Sequence, residues 1–224
     1  MTFYIAARCV RTGRFAVAVA SSSPAVAARC ACARAGVGAA TTQNVTDPRL
    51  GPKALDLMAR GATAATARDI LVGATPHIAH RQLTMIDAQG RTAVFSGSGT
   101  LGVHAEAQGR DVVSAGNLLA NPGVPQAIVA AFEASTEPDL GDRVIAAMTA
   151  GLLAGGEAGP IHSAGLQIVG EVSWPIVDLR VDWHDAPIAE LGRIWAIYKP
   201  QMDAYVTRAL NPLAAPSYGV PGDA

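Results

Sequence analysis

The amino-acid sequence predicts an α+β fold in which two mainly antiparallel sheets stack face to face between helix pairs, a four-layer αββα sandwich. Apolar stretches of strand length follow one another through short turns, which favours antiparallel hairpins over the long crossovers that parallel strands need. Two pairs of helices interrupt these strands and another helix follows them, so each sheet can be covered on its outer side. Half of the 224 residues are hydrophobic and 16% are charged, and a chain of this size can bury such a core unaided.

Strands are predicted where apolar residues run together or alternate with polar ones. We expect them at residues 2–10, 15–20, 36–43, 81–87, 92–96, 111–116, 163–169 and 177–183. Helices are indicated by apolar faces, by Pro52 at a helix start, and by Thr63 and Asp139 as caps. We expect them at residues 52–61, 64–72, 122 or 124 to 134, 140–153 and 187–205, with a loop or short helix at 25–34.

The sequence also predicts how the chain is divided into domains and what kind of molecule it binds. We expect one domain over residues 1–210 and a loose tail with prolines and glycines at 211–224. A formal net charge of −1 attracts neither nucleic acid nor an anionic membrane surface, and no apolar stretch reaches the roughly 18–20 residues of a membrane span. Without a recognisable signal peptide, the prediction is a cytoplasmic protein that binds a small-molecule substrate and that could form a homo-oligomer.

Signals for a metal or a cofactor are weak. The cysteines are Cys9, Cys30 and Cys32, an odd number whose spacing suits neither zinc nor a thioredoxin-type pair. The five histidines are scattered, and Gly97-Ser98-Gly99 is followed neither by GK[ST] nor by a suitably placed helix. We therefore predict reduced cysteines, no metal and no cofactor.

Thr2 is the leading catalytic candidate. It stands at the start of the first predicted strand, and removal of Met1 would give it an α-amine beside its hydroxyl. That combination is a nucleophile with its own base. The small residue at position 2 permits the removal, and a nucleophile on a buried strand is held rigidly. The alternative is that Thr2 is an ordinary second residue with no catalytic role.

Other polar residues come where predicted strands end. In a hairpin of the first two strands, Ser21 and Ser22 approach Thr2, where Ser21 could relay a proton or orient the amine and Ser22 could contact substrate. A plain polar turn is the alternative for both serines. Asn117 follows the strand at 111–116 and could donate its amide to an oxyanion, or could simply form an Asx turn or a helix cap.

Two further residues are candidate substrate contacts. Gln43 ends the strand at 36–43, whose small residues allow a ligand to approach closely. Arg180 lies between Asp178 and Asp182 on a strand with one polar face, and it could clamp a substrate carboxylate. A surface ladder of ion pairs is the other interpretation of these three residues.

An ordered series of short stretches resembles the DUF1028 family from the chain start to about Tyr198. The stretches include Thr2-Phe3, Ala18-Val19-Ala20-Ser21, Thr42-Gln43, Arg81-Gln82-Leu83, Asp87-Ala88-Gln89-Gly90-Arg91, Gly116-Asn117-Leu118-Leu119-Ala120 and Asp178-Leu179-Arg180-Val181-Asp182. That family is grouped with the N-terminal nucleophile hydrolases, which have the αββα fold. The resemblance thus implies amide hydrolysis by the N-terminal residue. The sequence departs from the family pattern at Cys9, where an acidic residue is usual, and at Ser22, where lysine is frequent.

The predicted function is hydrolysis of the C–N bond of a small amide or cyclic amide. The Thr2 hydroxyl would attack the carbonyl, its α-amine would act as base, and Asn117 with backbone N–H groups would hold the oxyanion. Two alternatives stay open. One is a protein of the same fold without catalysis that binds a small ligand or serves in an assembly. The other is a hydrolase whose nucleophile is internal, such as Ser21 or Cys9.

Overall fold

The computed structural model describes residues 2–222. Its strands are β1 (Thr2–Arg8), β2 (Phe15–Ser21), β3 (Ala31–Arg34), β4 (Gly38–Asn44), β5 (Arg81–Asp87), β6 (Thr92–Ser96), β7 (Ala105–Gly109), β8 (Val112–Asn117), β9 (Ser163–Val169) and β10 (Val177–Val181). Its helices are α1 (Ala27–Cys30), α2 (Leu50–Ala59), α3 (Ala64–Ala74), α4 (Val124–Ala134), α5 (Leu140–Leu153), α6 (Pro187–Tyr198) and α7 (Met202–Leu210). Met1, whose removal the nucleophile hypothesis requires, and the last two residues of the predicted tail lie outside the described range.

Within residues 2–222 the strands form two antiparallel sheets, in a mixed arrangement of helices and strands. The larger sheet has the strand order β10-β9-β2-β1-β8-β7, and the smaller has the order β3-β4-β5-β6. Each pair of neighbouring strands is antiparallel, as the short turns predicted. β1 lies in the middle of the larger sheet, between β2 and β8, so its first residue is flanked by the ends of two neighbours.

Side chains of β1 alternate between two buried environments, as the pleat of a strand requires. Phe3 and Ile5 pack in a core with apolar residues of α4, α5 and α6. Tyr4 and Ala6 point to the opposite face, where residues of both sheets meet. Most members of the cluster between the sheets are small or β-branched, and they are Ala6, Phe15, Val17, Ala39, Ile86, Val113 and Val169.

Helices cover the opposite face of each sheet from this shared cluster. Leu55 of α2 and Leu71 of α3 pack with Leu83 and Met85 of β5 on the smaller sheet. The apolar residues of α4, α5 and α6 pack on β1, β2, β8, β9 and β10 of the larger sheet. In the part of the chain that the structure describes, none of these helices is long and apolar enough to cross a bilayer.

Three predicted elements differ in the structure. The helix expected at 187–205 is interrupted by a 3-10 turn at Lys199–Gln201, because Pro200 has no N–H to donate and its ring crowds the preceding turn. Residues 25–34 contain the short helix α1, but their second half forms the edge strand β3. The sequence analysis also missed β7, whose polar residues lie at the edge of the larger sheet.

Candidate active site

One end of the space between the sheets is polar, and this end contains the start of β1. Along β1 from Ala6 to Thr2, the side chains that face the other sheet change from apolar ones to ones with polar groups. The same change occurs on the neighbouring strands, and the resulting polar cluster consists of Thr2, Ser21, Gln43, Gln82 and Asn117. Each of these side chains is at most 5% exposed. A buried polar group needs a hydrogen-bonding partner, so their mutual contacts decide what this end of the molecule can do.

Thr2 lies between the ends of β2 and β8, and the sequence had predicted the first of these beside it. It pairs across the sheet with Asn117, while Phe3 pairs with Ala20, which places Ser21 on the other side. Thr2 Oγ1 donates to Ser21 Oγ at 3.4 Å. Ser21 Oγ also accepts the backbone N–H of Ser23 at 3.0 Å, which fixes its position at the turn. The sheet register alone therefore brings together Thr2, Ser21 and Asn117.

The side-chain amide of Asn117 is held by a neighbouring glutamine. Asn117 Nδ2 donates to Gln82 Oε1 at 3.2 Å, and Gln82 Nε2 donates to the Gly116 carbonyl and to Ser96 Oγ, both at 3.0 Å. These contacts orient the Asn117 amide from the smaller sheet. An Nδ2 group has two hydrogens, so one donor remains for a further acceptor.

The backbone turns sharply after Asn117. Leu118 adopts a left-handed conformation with φ of 52°, which costs energy for a residue with a side chain. Its N–H donates to Leu101 O at 3.0 Å, and Leu119 N–H donates to Val103 O at 2.8 Å. The glycine-rich loop that begins at Gly97 is thus packed against the site as a wall.

Asn44 secures this wall from the smaller sheet. Its Nδ2 donates to the carbonyls of His80 and Gly99, at 2.7 and 3.2 Å, and its Oδ1 accepts from Leu101 N–H at 3.1 Å. Asn44 therefore holds the glycine-rich loop in place beside the site.

Glu157 is the acidic residue of the site, and the sequence analysis did not identify it. Glu157 is 5% exposed, and its carboxylate accepts the backbone N–H of Ser22, at 3.1 Å to Oε1 and 3.2 Å to Oε2. Burial raises the pKa of Glu157 to about 7, although the hydrogen bonds from Ser22 favour the charged form. A carboxyl group that titrates near neutral pH inside a closed site can hold or exchange a proton there.

The turn before Glu157 explains how a residue so far along the chain reaches the site. Gly155 and Gly156 both have positive φ, at 124° and 59°, and they reverse the chain after α5. Glu157 then forms a β-bridge with Leu119. A pair of glycines followed by one acidic residue was the available signal, but a helix end gives the same pattern.

The remaining predicted contacts divide between the site and other regions. Gln43 lies opposite Gln82 on β4, and its Nε2 has no hydrogen-bond partner among the described residues. Ser22 contributes its backbone N–H to Glu157. Arg180 lies on β10, three strands away from β1, where its guanidinium contacts both carboxylate oxygens of Asp182 at 2.9 and 3.0 Å. The structure therefore does not bring Arg180 together with Thr2.

Cys9, the alternative internal nucleophile, follows the far end of β1. It is buried, and burial raises the pKa of its thiol, but hydrogen bonds from Thr12 and the Arg11 charge outweigh this effect and lower the pKa. Within residues 2–222, no cluster of three or more histidines, cysteines and acidic residues could hold a metal ion.

Comparison with known proteins identifies the family. The model of the family of unknown function DUF1028 matches residues 2–191, so the chain belongs to this family. The chain is similar to the crystal structure of protein SPO2555 from Silicibacter pomeroyi, of family DUF1028, with 26% identity and a TM-score of 0.83 over 88% of this chain and 86% of that chain. It is also similar to Anbu (ancestral beta-subunit) from Yersinia bercovieri, with 13% identity and a TM-score of 0.41 over 91% of this chain and 97% of that chain. Comparison with curated proteins finds no match.

Proposed function

We propose that this protein hydrolyses the C–N bond of a small amide or cyclic amide with Thr2 as its N-terminal nucleophile. The observation that supports this proposal best is the placement of Thr2. Its hydroxyl lies at the start of a buried central strand, bonded to Ser21 and directly opposite Asn117. A nucleophile, a hydroxyl partner and an amide donor thus converge at one closed polar end of the molecule, as nucleophilic catalysis requires.

The reaction begins after removal of Met1. Thr2 Oγ1 attacks the substrate carbonyl carbon, and its proton passes to the Thr2 α-amine, either directly or through Ser21. The carbonyl oxygen becomes an oxyanion, which accepts a hydrogen bond from the Asn117 Nδ2 hydrogen that does not bond to Gln82. The C–N bond then breaks, and the amine leaves with the proton held by the α-amine. Water attacks the resulting ester by the reverse path and restores the Thr2 hydroxyl.

The αββα arrangement expected from the sequence belongs to the same proposal. Three apolar clusters support it, namely one between the sheets and one beneath the helices of each sheet. We propose that the single domain extends to residue 210, that the protein acts in the cytoplasm, and that its partner is the small-molecule substrate. The proposed hydrolysis uses the protein's own side chains and the α-amine of Thr2.

Intact-mass analysis and covalent labelling test the nucleophile. We expect the native protein to lack Met1, and we expect a β-lactone probe to acylate the peptide that begins with Thr2. Thr2→Ser should retain labelling, whereas Thr2→Ala should lose it and keep its circular dichroism spectrum. Thr66→Ala is a control, because Thr66 is exposed on α3 and hydrogen-bonds to the cap residue Thr63.

The alternatives give different results in the same experiment. An internal nucleophile would retain labelling in Thr2→Ala, with the adduct on the peptide that contains Ser21 or Cys9. A protein without catalysis would show no acylation in any variant. Native protein that retains Met1, or Thr2→Ala protein that is labelled at residue 2 as fast as the wild type, would contradict the proposed function.

A further inference from the structure

Glu157 lies near the start of β1, where it contacts Ser22, the chain neighbour of Ser21. β1 is flanked by β2 and β8, and Glu157 contacts the continuation of both strands. On the β2 side its carboxylate accepts from Ser22 N–H, and on the β8 side its backbone bridges Leu119. The flanking segment extends this pairing, because Ala158 N–H donates to Leu118 O at 2.9 Å. The acid therefore lies beside the segments that follow both strands flanking Thr2.

The Glu157 carboxylate is buried without a cationic side chain as partner. Glu157 is 5% exposed, and no lysine, arginine or histidine side chain among residues 2–222 forms an ion pair with it. Its hydrogen bonds come from Ser22, whose backbone N–H lies 3.1 Å from Oε1 and 3.2 Å from Oε2. A carboxylate has about four acceptor sites, so a positive charge beside it would stabilise the buried anion.

The α-amine of Thr2 is the group that the sheet register delivers to this place. Phe3 pairs with Ala20 and Thr2 Oγ1 donates to Ser21 Oγ, so Thr2 lies beside Ser21, whose chain neighbour Ser22 contacts Glu157. We propose that the Glu157 carboxylate is the counter-ion that holds and orients the α-amine of Thr2 once Met1 is removed. This inference rests on the proposed function and makes Glu157 a positioning residue for the catalytic base.

The pairing controls both the geometry and the protonation of the base. A carboxylate beside the amine stabilises the ammonium form and therefore raises the amine pKa. Because the two groups interact, they titrate as a coupled pair, and the reactive form is the neutral amine held beside Oγ1. The other titratable residues on segments around this end are Cys30, His80, Arg81, His104, His162 and Asp185. These residues are the same in the wild type and in each Glu157 variant, so they affect the amine pKa equally in every protein.

The test is a direct titration of the Thr2 amine. Protein treated with methionine aminopeptidase to remove Met1 is pulse-labelled with acetic anhydride across pH, and the extent of N-terminal acetylation is read by mass spectrometry. We expect Glu157→Gln to lower the amine pKa by about 1 unit or more relative to the wild type. Glu137→Gln, at an exposed glutamate outside the site, should leave the amine pKa unchanged.

A second variant guards against a change that only disrupts folding. Glu157→Asp retains the charge one methylene farther from the amine, and we expect an amine pKa between those of the wild type and Glu157→Gln. Equal amine pKa values in the wild type and both folded Glu157 variants would overturn the inference. If Glu157→Gln fails to fold by circular dichroism, an Asp variant whose amine pKa equals that of the wild type would overturn it.

This titration needs no turnover, so its outcome is distinct from that of the proposed function. If the amine pKa falls in Glu157→Gln but the β-lactone never acylates Thr2, the ion pair is real and the hydrolase proposal fails. If acylation occurs and its pH dependence is the same with and without Glu157, the nucleophile is supported and the ion pair is wrong. When both proposals hold, the acid limb of the acylation rate moves to lower pH in Glu157→Gln.

Discussion

Asn117 has two amide hydrogens, and Gln82 Oε1 accepts one of them at 3.2 Å. If the other stabilises the oxyanion, Asn117→Ala should reduce the acylation rate of Thr2 by about 10²–10³, the usual effect of removing one such donor. The folded protein should survive, at a cost of about 1–3 kcal/mol for leaving a buried glutamine oxygen unpaired. Stopped labelling reactions followed by intact mass measure the rate.

The matched control for this change is Asn211→Ala, because Asn211 is exposed beyond α7. It should acylate at the wild-type rate. An Asn117→Ala variant that is as fast as Asn211→Ala would show that Asn117 only orients Gln82 and the end of β8. Asn117 would then be a structural residue of the polar cluster.

At the scale of single residues, the sequence could predict which side chains lie close together where two strands form a hairpin. Thr2 begins β1 and Ser21 ends β2, and the predicted hairpin of these two strands brings them together. Asn117 was recognised at the end of a strand, but its place beside Thr2 depends on β8 neighbouring β1. Glu157 could not be found this way, because it meets Ser22 over a separation of 135 residues and enters from a glycine turn after a helix. Arg180 was placed on the correct strand, but the order of strands in the sheet was not predictable, and that order separates it from β1.

The loop after β6 offers a test at the scale of one element. A Cβ on Gly97 would lie 2.3 Å from the Ala79 carbonyl oxygen and 2.7 Å from that of Ile78, so the 3-10 turn before β5 leaves no room for a side chain. Gly97→Ala should therefore lower the free energy of unfolding by about 1–3 kcal/mol, as overpacking typically does. Urea denaturation followed by circular dichroism measures this change.

Gly159→Ala provides the comparison, since a Cβ there meets no atom within 4 Å and the residue lacks a left-handed φ. Its free energy of unfolding should remain within about 0.5 kcal/mol of the wild type. Equal stabilities of the two alanine variants would mean that the loop does not pack tightly against the turn and is no fixed wall of the site.

Elements were predictable where their pattern was strong and local. The hairpin of β1 and β2, the capped helix α3 and the long helix α5 all follow from residue spacing and cap residues. β3 and β7 were missed because both are short edge strands whose small or polar residues show little periodicity. The break between α6 and α7 follows from Pro200, because proline interrupts a helix interior. The amphipathic pattern continues across Pro200, so the pattern alone predicted one long helix.

For the whole molecule, the order of helices and strands was sufficient to predict two antiparallel sheets. Hairpin connections exclude a parallel sheet, and the high apolar content requires that both faces of the central strands be covered. The sequence could not indicate that the space between the sheets is apolar around Phe15 but polar around Thr2. That difference depends on aligning five strands from both sheets, which local patterns do not encode.

This architecture makes a prediction about the distribution of stability. The residues from Phe3 to Ala7 are completely buried in the middle of the larger sheet, whereas α7 buries Met202 alone and Leu213 beyond it is 98% exposed. Amide hydrogens of β1 and β2 should therefore exchange only through global unfolding, and those of α7 and the following residues through local opening. Hydrogen–deuterium exchange with peptide-level mass spectrometry resolves the two groups. A nucleophile at the start of β1 would then be held by the most stable part of the protein. β1 amides that exchange as fast as those of α7 would contradict this stability pattern. They would also contradict the rigid placement of Thr2 that the proposed function needs.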